Sequence, residues 1–257
     1  MTALATGLAM EGHIVFTYSI ANFPTLRCLE QIRNDACYHG ADVKIVSIGG
    51  GFSYGALGIS HHATEDLAIM RSLPDLTVVS PCGQWETGRA TEALIRTPGT
   101  CFLRLDKSYG NDGPTVDNEE FQIGKARILQ DGNDLSIFVT GGILEEVQKA
   151  VHELEREGLS AQVISLHSLK PVDSSAIIAA CQKTDCVVTV EEHTVHGGLG
   201  SLIAEILMDH CVFPKSFLRI ALKDGFSSIV GDQSYLRKQY GLDAQSIAHK
   251  IRKLIQK

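Results

Sequence analysis

The sequence has no Cys-x-x-Cys pair, no surplus of basic charge, and no apolar run near the ~20 residues that cross a bilayer. Its seven cysteines, at positions 28, 37, 82, 101, 181, 186 and 211, are odd in number and scattered over 257 residues. That argues against a disulfide framework or a spaced zinc site and favours buried thiols in a reducing compartment. Lys and Arg number 23 against 30 Asp and Glu, a net charge of −7. The sign is wrong for a general nucleic-acid binder. It leaves open a local cationic pocket for a phosphorylated small molecule. Hydrophobic residues at 44% and charged residues at 21% exclude a disordered or fibrous chain. The apolar segment Met1–Met10 has no Lys or Arg ahead of it, and Glu11 and Gly12 follow. This suits the end of a helix better than a cleaved leader. The expectation is a soluble, cytoplasmic protein.

What is present is alternation. Strand-like runs at 14–18, 43–47, 76–80 and 100–105 are separated by helical patterns at 25–38, 64–72 and 85–96. Pro74 and Pro98-Gly99 end the second and third helices. From Ser108 to about Glu120 turn formers and acids interrupt the pattern. It then resumes, with strands at 135–140, 161–166, 186–191 and 218–222 and helices at 144–157, 174–183, 199–209 and 244–255. Near-continuous apolar strands between helices predict α/β architecture with two open, mostly parallel sheets. The domains fall at 1–112 and 124–257, joined by a linker at 113–123.

Such sheets bind ligands at the carboxyl ends of their strands, which points to four segments, Ser47–His62, Ser80–Gln84, Asp106–Gly110 and Glu191–Gly200. The richest is the loop from Ile48 to Asp66, with five glycines in its first eleven residues. It lacks the lysine of a P-loop and the spacing of a dinucleotide fingerprint. Ser60 is placed to cap the following helix. His61 and His62 are suited to hydrogen-bond a substrate hydroxyl or carry a proton near neutral pH, whereas adjacent side chains do not converge on a metal. Arg104 and Lys107, around the end of a strand, are candidate holders of a phosphate. Glu191-Glu192-His193 ahead of Gly197-Gly198-Leu199-Gly200 reads as a turn with an anion or interface role.

In this order the motifs resemble the transketolase family. Asp42–Val46, the Gly-rich loop, Ser60-His61, Glu65–Pro74, Val78–Pro81, Glu86-Thr87 and Leu103-Arg104-Leu105 are similar to its pyrimidine-binding domain. Val139–Gly142, Glu191-Glu192-His193 and Gly197–Gly200 are similar to its C-terminal domain. The resemblance covers essentially the whole chain and implies the C-terminal subunit of a split, thiamine diphosphate-dependent transketolase. The cofactor would be shared with an N-terminal diphosphate-binding partner that carries the Mg2+. The reaction implied is transfer of a two-carbon ketol unit between sugar substrates in carbohydrate metabolism. Family active sites lie between chains, so self-association, as in a dimer, is expected too.

Residue by residue, the resemblance makes Phe23 one of the aromatic walls of the pyrimidine site and puts Ile20 where the second stands. His61 matches the histidine facing the reacting carbonyl and hydroxyl groups. Lys107, with Arg104 beside it, falls near the basic residue for the substrate phosphate; the other reading of Arg104 is a structural residue at the sheet end. The sequence also departs from the pattern. Gly49 stands where the family has histidine. Leu57 replaces the aspartate that receives a sugar hydroxyl, which removes an acceptor and should alter substrate preference. The family glutamate that protonates the pyrimidine lies in a Glu-Gln-Asn-Met stretch just before the residues matching Thr2–Ala9. Met1 stands for that Met, so the chain alone is expected to be inactive and its first sheet exposed on one side. A 1-deoxyxylulose-phosphate-synthase-like subunit, a 2-oxoacid dehydrogenase β-like subunit and a non-catalytic assembly module are the alternatives.

Overall fold

The computed structural model describes residues 1–107 and 119–256. Helix α1 (Thr2–Met10) leads into β1 (Val15–Ile20), a short helical turn α2 (Leu29–Gln31) and β2 (Val43–Ile48). Helix α3 (Asp66–Ser72), β3 (Thr77–Val79), α4 (Gln84–Arg96) and β4 (Cys101–Leu105) complete the first half. The second half runs β5 (Arg127–Gln130), β6 (Leu135–Val139), α5 (Leu144–Glu155), β7 (Ala161–Ser165), β8 (Ser168–Lys170), α6 (Ser174–Lys183) and β9 (Cys186–Thr194). Helix α7 (Leu199–Asp209), β10 (Ser216–Leu222), α8 (Gln233–Gln239) and α9 (Ala244–Ile255) close it.

The described residues form two five-stranded sheets, ordered β1-β2-β4-β3-β8 and β10-β9-β6-β7-β5. Each is parallel apart from one antiparallel edge strand, β8 against β3 and β5 against β7. Mostly apolar strands suit the parallel cores: β6 and β7 are buried at every residue, and their polar Ser136, Gln162 and Ser165 are hydrogen-bonded. Lys44 in β2 is wholly buried too, and its ammonium stays satisfied by donating to the carbonyls of Thr97 (2.5 Å) and Gly99 (2.7 Å) and pairing with Asp42.

The structure departs from the expected elements in places that have physical causes. The helix expected at 25–38 is a 3-10 turn (Leu26–Cys28), then α2, then a π-helical turn at Ile32–Cys37. The wider turn brings Ile32, Ala36 and Cys37 together onto the core. Helix α3 starts at Asp66 without a side-chain cap, so Ser60 does not cap it. Strand β8, which comes from the second half, pairs with β3 and completes the first sheet. The two halves also share one hydrophobic core, in which Leu67 and Met70 join Phe138, Ile164 and Ile203. Residues 113–118 of the expected linker lie outside the described residues; 119–123 are described and have no regular structure. On the other edge, β1 has no second strand partner among the described residues, and its Tyr18 is 64% exposed.

Phe121 stacks on buried His167 at 4.2 Å between ring centroids. Burial, reinforced by the Arg127 charge, pushes the His167 pKa down to about 4, while an unfolded histidine titrates near 6.5. Between those values the unfolded chain binds more protons, so stability is full above about pH 6.5 and falls as the pH drops toward 4. A His167→Gln variant should lose less stability across this window than wild type, by urea unfolding at a series of pH values. Parallel pH profiles would contradict this.

Candidate active site

Two loops converge at the carboxyl end of the first sheet. The one after β1 is tied to β2, with the Ala21 amide donating to the Ile48 carbonyl (2.8 Å) and the Ser47 hydroxyl to the Ala21 carbonyl (2.9 Å). It turns through Ala21, which has a φ of +33°. The Gly-rich loop after β2 starts on β4, where Gly49 and Gly50 both donate to the Leu105 carbonyl. It doubles back so that Gly51 and Ala63 pair as an antiparallel bridge. The Asn22 amide then donates to the His62 carbonyl (2.6 Å), locking the first loop to the second.

This lock brings Phe23 and His61 together. Their rings meet edge to face at 5.1 Å between centroids. Both are half-buried, as is Ile20 at the end of β1. Ser60 Oγ lies 3.0 Å from His61 Nδ1, which fixes the ring and leaves Nε2 for another partner. The Arg27 guanidinium covers Phe23 at 4.3 Å from the ring centroid. Tyr54 is 6.2 Å from His61, ring to ring, and Lys107 Nζ lies 4.4 Å from the Tyr54 centroid. Lys107 is exposed. Beside these two residues opens a cleft of about 400 Å³, also lined by Pro81, Gln84, Thr87 and Asp106.

The two adjacent histidines have different surroundings. His62 is buried against Phe52, with Nε2 donating to the Gly55 carbonyl (3.1 Å). It holds the loop in shape while His61 faces the aromatic cluster.

Arg104 does not join Lys107. It is 1% exposed, and its guanidinium donates to Asp66 Oδ2 (2.9 Å) and to the carbonyls of Ala63 and Glu192 (3.1 Å each). These bonds tie the Gly-rich loop and α3 to the second half of the chain, so the structural reading of Arg104 fits and the phosphate reading does not. The acidic motif at 191–193 is likewise internal. Glu191 accepts from the Leu199 (2.7 Å) and Gly200 (2.8 Å) amides, so a carboxylate already fills the N-terminus of α7 and no anion role remains there. Glu192 accepts from the Phe52 amide (2.5 Å) and pairs with Arg237 (2.5 Å). His193 Nε2 accepts from the Ala68 amide (3.3 Å).

Gly51 shows how closely Glu192 backs the loop. A Cβ on Gly51 would come within 2.5 Å of Glu192 Oε1, and its φ is +58°. Arg237 and Gln233, both on α8, contact the same carboxylate. Sequence reasoning missed this role for α8, because a seven-residue helix and a contact across 45 residues leave no local pattern.

Comparison with known proteins fits this layout. The model of the transketolase pyrimidine-binding domain matches residues 1–111, and that of the transketolase C-terminal domain matches residues 124–247. The chain belongs to the transketolase family. It is 37% identical over 255 residues to a putative transketolase C-terminal section of Methanocaldococcus jannaschii, covering 98% of this chain and 78% of that protein. It is 34% identical over 254 residues to one subunit of the apulose-4-phosphate transketolase of Phocaeicola vulgatus, covering 99% and 80%. Among solved structures, a split-gene transketolase described as an inactive β4 tetramer superimposes with a TM-score of 0.85 at 32% identity, over 98% of this chain and 79% of that one.

Transketolases depend on thiamine diphosphate, and part of this chain suits that group. Half-buried Phe23 and Ile20, with the His61 imidazole at the edge of the Phe23 ring and the Arg27 guanidinium over it, offer an apolar patch that suits the flat pyrimidine end. No group of three or more His, Cys, Asp or Glu among the described residues is arranged to hold a metal ion. No helix among them is long and apolar enough to cross a membrane.

Proposed function

We propose that this transketolase-family chain is the C-terminal subunit of an enzyme that moves a two-carbon ketol unit from a ketose to an aldose, working with an N-terminal partner subunit. The observation that carries the reading is the meeting of Phe23 and His61 at the carboxyl end of the first sheet. When bound between the subunits, thiamine diphosphate supplies the carbanion chemistry. This chain supplies the pyrimidine wall from Phe23 and Ile20, while the diphosphate and Mg2+ sit on the partner. His61, with its ring set by Ser60, hydrogen-bonds the carbonyl and hydroxyl oxygens of the sugar. Lys107 receives an anionic substrate end, a reading supported by the relative named for apulose-4-phosphate. The enzyme works in the cytoplasm, and the pair of subunits associates further with a second pair. The exposed apolar side chains of α1 and β1, Leu4, Phe16 and Tyr18 among them, support a covered face there.

The test is to assemble the chain with an N-terminal transketolase subunit, thiamine diphosphate and magnesium, and to assay ketose donors against aldose acceptors. Transfer that requires both subunits is expected; no transfer with any donor would overturn the reading. In the active assembly, Lys107→Met should raise KM for a phosphorylated acceptor about 10- to 100-fold, the worth of one charged hydrogen bond. Its kcat should be little changed. Steady-state kinetics with phosphorylated and unphosphorylated acceptors would show whether the loss follows the phosphate.

A further inference from the structure

The cleft beside Lys107 owes its shape to a side chain five residues along from a glycine. A Cβ on Gly49 would overlap both Cδ2 and Cε2 of Tyr54. That is an overlap with the body of a ring, which rotation of a flexible end does not relieve. Gly49 also has a φ of +105°, where L side chains are strained. The Tyr54 ring therefore fills the volume in which a side chain at position 49 would stand. The same ring lies against the Lys107 ammonium, 4.4 Å away, and lines the cleft with it. Among the described residues, the Tyr54 hydroxyl has no hydrogen-bond partner and the Lys107 ammonium no carboxylate. One ring thus brings a hydroxyl and steers a cation at the same wall.

We infer that Tyr54 is a specificity-determining residue. Its ring closes the cleft at Gly49 and positions the Lys107 ammonium, and its hydroxyl hydrogen-bonds a substrate hydroxyl near the anionic end. The substrate class is a sugar that carries a phosphate or similar anion together with a neighbouring hydroxyl. Tyr54 donates or accepts one hydrogen bond and exchanges no proton with the substrate, so its effect falls on binding. This rests on the ketol-transfer reading above.

Two measurements test it. In the assembled enzyme, Tyr54→Phe should raise acceptor KM about tenfold with kcat within twofold, since ring and cleft persist and one hydrogen bond is lost. Tyr54→Ala should also lower the preference for phosphorylated over unphosphorylated acceptor about tenfold, because Lys107 loses its support. Equal losses on both acceptors in Tyr54→Ala, or a fall in kcat with KM unchanged in Tyr54→Phe, would overturn the inference while ketol transfer stands. If wild-type enzyme transfers nothing, both readings fall together. Independently of activity, thermal unfolding of the full chain should show that Gly49→Ala costs more in wild type than in the Tyr54→Ala background. Equal costs would mean that the ring does not occupy that volume.

Discussion

Replacing His61 by alanine should lower kcat for ketol transfer by about 100- to 1,000-fold, the usual scale for a positioned acid–base or hydrogen-bonding side chain. Affinity for thiamine diphosphate should change by less than about threefold, because the pyrimidine wall is assigned to Phe23 and Ile20. The geometry argues for this split. His61 sits at the turn of a loop fixed at both ends, by the Gly51–Ala63 bridge and by the Asn22 bond to the neighbouring carbonyl. Its Nδ1 already faces Ser60, so the ring presents Nε2 in a set direction. Removing the imidazole deletes a polar contact to the sugar and leaves the loop in place, because that loop is held by His62 and Glu192. Turnover and cofactor titration on the same preparation would check it. Parallel losses in both would make His61 part of the cofactor wall instead.

Arg104→Met should destabilise the protein by about 3–5 kcal/mol, the cost of stranding one member of a buried ion pair. Asp66 is completely buried, and its Oδ1 has no partner in addition to the Arg104 bond on Oδ2. Without the guanidinium, that buried carboxylate is left without its counter-charge, and the carbonyls of Ala63 and Glu192 lose a donor. In a chain of 257 residues this corresponds to roughly 10 °C in melting temperature. The double variant Arg104→Met, Asp66→Asn should recover part of the loss, since it removes the stranded charge. Were Arg104 a phosphate ligand, its removal would raise acceptor KM with little change in melting temperature. Calorimetry and acceptor kinetics on the same variant separate the two.

Much of this is legible in the sequence because it depends on local pattern. Strands buried on both faces are mostly apolar, and Val43–Ile48 and Leu135–Val139 show it, with Lys44, Ser47 and Ser136 as hydrogen-bonded exceptions. The candidate site at the carboxyl end of the first sheet follows from strand direction, and Phe23 and His61 stand in the loops that leave it. Other features turn on contacts between distant residues. Arg104 and Lys107 look equivalent on paper, since nothing local says that one lies at the junction of two sheets and the other at a rim. Glu192 reads as part of a turn with an anion or interface role until α8 is seen to bring Arg237 against it. Strand β8 is three residues long, too short for any periodicity. Tyr54 is one aromatic within a glycine-rich stretch, and its importance emerges only once the loop has folded back upon Gly49.

The pairing of β8 with β3 has a bearing on how the protein is made. Lys170 must leave the ribosome before the first sheet has its last strand, so the N-terminal half is synthesised well before it can finish folding. During that interval the β3 edge is an open template for a neighbouring nascent chain. The long sequence separation also slows the final closure. Once closed, the two halves are laced together through the backbone, and a protease cut between them would leave a nicked pair rather than two free pieces.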